Sequence, residues 1–311
     1  MNKISIIGAG MTGSTAAHWL AERDVADLVL VDVDEGMPQG KGLDLLEAMP
    51  IVNSDVEIVG TNDYALTKNS DIIIITAGLA RKPGMSRDDL LSANAEIVGK
   101  AATETLKYSP DAIYIVLTNP LDTMAYLTMK VTKLPRERVI GQAGILDSTR
   151  MRAFVAMETG VSVENVHCYV LGGHGDEMVP LTRLSNIAGV SLKEFLSADT
   201  LEAIVNRTRK GGGEIVNLLK SGSAYYAPAA AVAHMAEAII KDRHLIVPCA
   251  AYMDGEYGLK DMFFGVQVQL GRKGMEKIIE FKLDAEEKAL LEKSAASVKE
   301  THEALKKLVK I

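Results

Sequence analysis

A chain of 311 residues with a formal net charge of −7 has the wrong sign for nucleic acid or an anionic membrane, both of which favour a basic surface. Its 48% hydrophobic and 24% charged residues are those of a globular protein, with room for two domains at about 150 residues each, and no apolar run reaches membrane-spanning length. Two cysteines, Cys168 and Cys249, stand outside any CxxC pattern, so no disulfide framework and no metal site is expected, and with no signal-like N-terminus the cytoplasm is the expected compartment.

The first half alternates. Apolar, β-branched runs at Ile4–Ile7, Leu28–Val31, Val56–Val59, Ile72–Ile75 and Ile113–Leu117 predict buried parallel strands, with a sixth at Arg138–Ile140. Helix-length segments lie between most of them: Thr12–Glu22, Gln39–Met49, Arg87–Lys107 and Leu121–Lys133. Strands joined by crossover helices predict an α/β fold with a doubly wound parallel sheet of the Rossmann kind. The character changes beyond a boundary placed at 143/144, which divides the chain into 1–143 and 144–311 without a flexible linker. A helix is predicted from near Asp147 to about Met157, then one strand through Val166–Leu171. Long helices follow at Thr200–Leu219 and Ala229–Lys241, then strand-like runs at Leu245–Tyr252 and Phe264–Leu270. A final helix, Asp284 to Val309, sets Leu291, Ala295, Val298, Leu305 and Val309 along one stripe.

Gly8-Ala9-Gly10-Met11-Thr12-Gly13 sits between the first strand and the first helix, and Asp32 ends the second strand about 20 residues further on. In that order these are the parts of a dinucleotide-binding unit. The first glycine permits a tight turn, the second lets backbone approach a pyrophosphate, and the third lets helix and strand pack closely. A helix N-terminus then offers free N–H groups to the anion. Asp32 suits the two hydroxyls of an adenosine ribose and repels a 2′-phosphate, favouring NAD over NADP; Asp34 is the alternative, and a turn cap the plainer role.

Thr76–Leu90 follows the fourth strand and carries Arg81, Lys82 and Arg87, with Gly78 and Gly84 as possible hinges of a lid that closes on an anion; a solvated loop is the other reading. Asn119, before Pro120, ends the fifth strand at the ligand-facing edge, where Asn-Pro also serves as a turn. His174, in Gly172-Gly-His-Gly-Asp176, is a candidate general acid/base held among glycines. Asp147 opens a helix with Arg150 one turn on; taken alone, Asp147 reads first as a cap. The remaining histidines read as packed or solvated.

Assembled, these residues resemble the lactate/malate dehydrogenase family along nearly the whole chain. Gly8–Gly13, Asp32, the Arg81–Arg87 loop, Thr118-Asn119-Pro120, Asp147–Arg150 and Gly173–Asp176 fall in that family's order and spacing. The likeness is nearest its malate-oxidising members built like lactate dehydrogenases. It implies a Rossmann domain followed by an α+β C-terminal domain, and reversible hydride transfer between NAD and a 2-hydroxy acid. It implies His174 as proton donor and acceptor, Asp147 as the group orienting its ring, and Arg87 as the cation polarising the carbonyl. Arg150 would hold the C1 carboxylate by a two-point fork, with Asn119 beside the reacting oxygen. Gly8, Ala9, Gly10, Met11, Thr12, Gly13, Asp32, Asn94, Leu117, Thr118 and Asn119 are the implied cofactor contacts. The resemblance further implies that Arg81 selects the substrate, since oxaloacetate carries a second carboxylate that pyruvate lacks and an enclosed anion needs a partner. The expected ligand is therefore a small dicarboxylate, malate or oxaloacetate, handled by a homodimer or homotetramer. Pyruvate as substrate, an NAD-dependent glycosidase and a non-catalytic NAD sensor are the competing readings.

Overall fold

The computed structural model describes residues 2–79 and 86–309, the Arg87 side chain excepted. Arg81, Lys82, Gly84 and the Arg87 guanidinium thus lie outside the described residues. The first half forms β1 (Lys3–Ile7), α1 (Met11–Glu22), β2 (Asp27–Val31), α2 (Met37–Val52), β3 (Ile58–Thr61), β4 (Ile72–Ile75), α3 (Arg87–Tyr108), β5 (Ile113–Val116), α4 (Leu121–Thr132) and β6 (Val139–Gly141). These six strands are parallel and run β3-β2-β1-β4-β5-β6 across the sheet. The order reverses between β1 and β4, and the crevice beyond their carboxyl ends is where open α/β sheets take ligands.

The isoleucine run of β4 shows why these strands form. Ile72 and Ile74 join one core with α1, while Ile73 and Ile75 join another with α3 and α4. A strand covered by helices on both faces needs no polar alternation, and β-branched side chains suit the pleat. The third strand pairs from Ile58 rather than Val56, although Val56 is buried.

The second half continues with α5 (Gly144–Thr159), β7 (Val166–His167), β8 (Val170–Leu171), β9 (Val179–Pro180), β10 (Asn186–Ile187), β11 (Val190–Ser191), α6 (Ala198–Leu219), α7 (Tyr226–Ile240), β12 (Leu245–Asp254), β13 (Lys260–Gly271), β14 (Gly274–Ile279) and α8 (Ala285–Leu308). β12, β13 and β14 add to the parallel sheet as antiparallel strands, β12 lying beside β6 through Ala250 and Gly141. One nine-stranded sheet therefore crosses the 143/144 boundary. α7 and the β12–β14 strands share their core with β1, β4 and α1.

Three further expectations change. The run Val166–Leu171 is two short strands, because β7 pairs with β10 whereas β8 pairs with β9. Between them Tyr169 turns aside, its N–H donating to Ser185 Oγ at 3.2 Å. α5 starts at Gly144, since Gly144, Ile145 and Leu146 are buried and helical, so Asp147 lies inside the first turn and caps nothing. β14 was not expected: it is the sheet's edge strand, and its charged Glu276 and Lys277 hide the strand pattern.

α8 begins at Ala285, with Asp284 as its N-cap in a capping box: Asp284 accepts the Glu287 N–H and Glu287 accepts that of Asp284. Of its stripe, Leu291, Ala295, Val298 and Leu305 are buried. Both cysteines are free and buried, and burial pushes the Cys168 thiol up to about 12. A thiol so held is not a nucleophile at neutral pH. Among the described residues no helix is long and apolar enough to cross a membrane.

Candidate active site

The glycine turn lies at the topological switch. Gly8 has φ +105°, and a Cβ there would press on the Ala77 backbone and Thr76 Oγ1, so the conformation and the space both demand glycine. A Cβ on Gly13 would collide with the Gly8 carbonyl, whereas Gly10 faces open space. Gly10 stands at the α1 N-terminus with no side-chain cap, and the first turn has no acidic residue. The free N–H groups, positive dipole end and room above Gly10 fit a dinucleotide pyrophosphate. Beside them Asp32 Oδ2 accepts the Ala9 N–H at 2.7 Å and Oδ1 that of Asp34 at 3.2 Å. Asp32 thus stands against the glycine turn, just past the end of β2. Lys41 donates to the Ala9 carbonyl at 2.7 Å and braces the same turn.

Asn94 is fully buried under the next segment, its Oδ1 accepting from Leu79 N at 2.7 Å and its Nδ2 donating to Asn119 O at 2.7 Å. Its amide thereby ties the chain beyond β4 to the chain beyond β5. Thr118 Oγ1 donates to Ala77 O at 2.7 Å, and Leu117 N to Ile75 O at 2.9 Å, so the same two segments are stitched twice more. Gly78 fits between Thr118 and Asn94 because a Cβ would strike both.

His174 sits on the hairpin loop between β8 and β9. Its Nδ1 lies 2.9 Å from Asp147 Oδ2, leaving Nε2 without a protein partner among the described residues. Burial alone would lower the imidazole pKa; the Asp147 carboxylate, its hydrogen bond and more distant Asp122 outweigh that, and the pKa is raised. Asp147 is 2% exposed, so the ion pair formed when His174 takes a proton is shielded from water. Arg150, 11% exposed, has Nη1 at 3.5 Å from both Asp147 Oδ1 and the Thr208 carbonyl. Asn119, Arg150, His174 and, from α6, Arg209 and Lys210 line a common cleft of about 870 Å³. A cationic cleft holding a paired histidine can bind an anion and exchange a proton with it.

The sequence reading missed how this hairpin is held. Asp122, in the first turn of α4, accepts the His174 N–H at 2.9 Å, and Ser294 on α8 accepts the Gly173 N–H at 2.9 Å. Asp122 is buried and its other oxygen lacks a partner among the described residues. Burial pushes its pKa up to about 6, against the pull of His174. An acid opening the apolar helix after Thr118-Asn119-Pro120 was the available signal. Asp242, His244 and Glu276 bring three possible metal ligands within 4.8 Å of one another, but they are exposed and line no part of the cleft.

Known proteins agree with this architecture. The lactate/malate dehydrogenase NAD binding domain matches residues 2–141, and the lactate/malate dehydrogenase alpha/beta C-terminal domain matches residues 145–309. A malate dehydrogenase of Roseiflexus castenholzii is 57% identical over 306 residues, 98% of this chain and 99% of that protein. The apo malate dehydrogenase structure from Picrophilus torridus superposes with a TM-score of 0.96 at 45% identity, covering 99% of this chain and 98% of that one. A lactate dehydrogenase from Cryptosporidium parvum, solved with lactic acid and nicotinamide adenine dinucleotide, gives 0.95 at 41% identity, covering 98% of each chain. With both of its domains matched and relatives above half identity over nearly its full length, this chain belongs to the lactate/malate dehydrogenase family.

Proposed function

We propose that this chain is an NAD-dependent oxidoreductase interconverting (S)-malate and oxaloacetate, with residues 1–143 as the NAD-binding domain and 144–311 as the catalytic domain, whose substrate site Arg81, Arg87 and Asn119 of the first complete. The observation that carries this is the buried Asp147–His174 pair at 2.9 Å, opening onto the cleft that Arg150 shares. Gly8–Gly13 and Asp32 hold the pyrophosphate and ribose of NAD, and Asn94, Leu117, Thr118 and Asn119 shape its nicotinamide side. NAD bound there would supply the hydride acceptor, and NADH the donor, for C2 of the substrate. His174 Nε2 takes the hydroxyl proton as malate is oxidised and gives it back on reduction. Asp147 fixes the ring through Nδ1 and stabilises the imidazolium. Arg150 pairs the C1 carboxylate, Asn119 donates near the reacting oxygen, and Arg87 polarises the carbonyl as negative charge develops.

Arg81 pairs the second carboxylate and selects malate over lactate. Leu43, Leu46 and Ile51 leave an apolar face exposed on α2, which we take as a contact in a homodimer or homotetramer. The unpaired buried thiols accord with a cytoplasmic enzyme. The test is NADH oxidation with oxaloacetate and with pyruvate in one buffer. A large kcat/KM preference for oxaloacetate is expected, and Arg81→Gln should move the ratio toward pyruvate by about 10²-fold. A preference for pyruvate in the unaltered enzyme would overturn the assignment of Arg81.

A further inference from the structure

α6 carries three successive glycines, Gly211, Gly212 and Gly213, in the interior of a 22-residue helix. Each costs helix stability relative to alanine, so an uninterrupted run needs a reason. The three are not equivalent. A Cβ on Gly212 or Gly213 would meet nothing within 4 Å. A Cβ on Gly211 would strike Arg150 along its arm, overlapping Cδ and standing 2.6 Å from Nε and 3.2 Å from Cζ. Gly211 is also buried on the same face as Leu201, Ile204 and Thr208. Thr208 is three residues earlier, one turn up that face, and its carbonyl lies 3.5 Å from Arg150 Nη1.

We infer that Gly211 is a positioning residue for the substrate: its bare backbone forms the bed on which the Arg150 guanidinium lies, and so sets where the carboxylate clamp points. The inference rests on the proposed role of Arg150 and deepens it. A guanidinium grips a carboxylate bidentately only in one plane, so the wall it rests against decides its orientation. Asp147 Oδ1 and Thr208 O hold one end through long contacts of 3.5 Å, which leaves Gly211 to fix the arm. Neither the glycine turn nor Asp32 lines the cleft that Arg150 shares, so an arm pushed off α6 would disturb carboxylate capture before it disturbed the cofactor.

The experiment compares Gly211→Ala with Gly99→Ala, a helical glycine in α3 whose Cβ would make only an ordinary contact with Leu127 at 4.0 Å. Gly211→Ala should raise KM for oxaloacetate about 10–100-fold, with a smaller change in kcat and an unchanged Kd for NADH. Gly99→Ala should leave all three alone. An unchanged KM in Gly211→Ala, with a raised KM in Arg150→Ala, would overturn the inference and leave the clamp standing. An unchanged KM in Arg150→Ala would instead remove the clamp itself. Should Gly211→Ala fold poorly, the Arg150→Ala background decides: without the arm, adding Gly211→Ala should raise Tm, as alanine does in a free helix. An equal loss of Tm in both backgrounds would show that Gly211 answers to some neighbour other than Arg150.

Discussion

The two halves of the site are built from different materials. On the proposed cofactor side the groups are mostly backbone: the turn at Gly8, the N–H groups opening α1, and the close approach at Gly13, with Asp32 and Lys41 as charged side chains held against the turn. On the proposed substrate side they are side chains, His174, Asp147 and Arg150, each steadied by an element distant in sequence. A backbone site is written in one contiguous motif and is broken by adding atoms. A side-chain site is written across the chain and is broken by removing them. The two should therefore fail separately.

His174→Asn gives the largest effect expected, a loss of turnover of about 10²–10⁴-fold with NADH binding intact, read by steady-state rates beside fluorescence titration. Weakened NADH binding in that variant would join the two halves. Gly13→Ala is the converse. Its Cβ meets the Gly8 carbonyl, so the turn must open, and the NADH Kd should rise about 100-fold while the His174 titration, followed by NMR, stays in place.

His302 on α8 stacks on Tyr126 of α4 at 4.7 Å between ring centroids and is 1% exposed, with neither ring nitrogen paired among the described residues. Burial lowers its pKa to about 4. Because the unfolded chain takes up the proton first, stability is complete above the unfolded value near 6.5 and is lost as pH falls toward 4. His302→Phe keeps the stacking and should remove about 2 kcal/mol of the stability difference between pH 8 and pH 5, measured by urea unfolding at each pH. Equal pH dependence in both proteins would sink this account.

The smallest effect belongs to Asp122→Asn, which keeps an acceptor for the His174 N–H and removes a charge that raises the imidazole pKa. Malate oxidation needs neutral His174, so its rate falls as pH drops through that pKa. Losing Asp122's charge lowers the pKa, and the acid limb of the profile should move to lower pH, with kcat/KM changed only a few-fold. A limb that moved up, or not at all, would confine Asp122 to holding the backbone.

The same contrast explains what was legible in the sequence. β1, β2, β4 and β5 could be read because strands covered on both faces are continuous apolar runs, and the glycine motif because its parts are contiguous. β14 could not, because an edge strand carries charge, and neither could the split of β7 from β8, which depends on partners elsewhere. Asp147 looked like a cap because nothing local reveals that a histidine 27 residues on folds against it. Asp122 and Gly211 were missed for the same reason: each acts through one contact whose partner lies far along the chain, His174 for one and Arg150 for the other.

The boundary expected at 143/144 is crossed by the nine-stranded sheet, with β12 pairing on β6 and a core shared by both halves. A clamshell motion, with the halves rotating apart to admit substrate, would tear backbone pairs and uncover that core. The same boundary bears on the protein's dissection: a fragment ending at 143 would present β6 as a raw edge, and its complement would present β12. Each would tend to stick to copies of itself, and the intact chain should melt in one calorimetric transition.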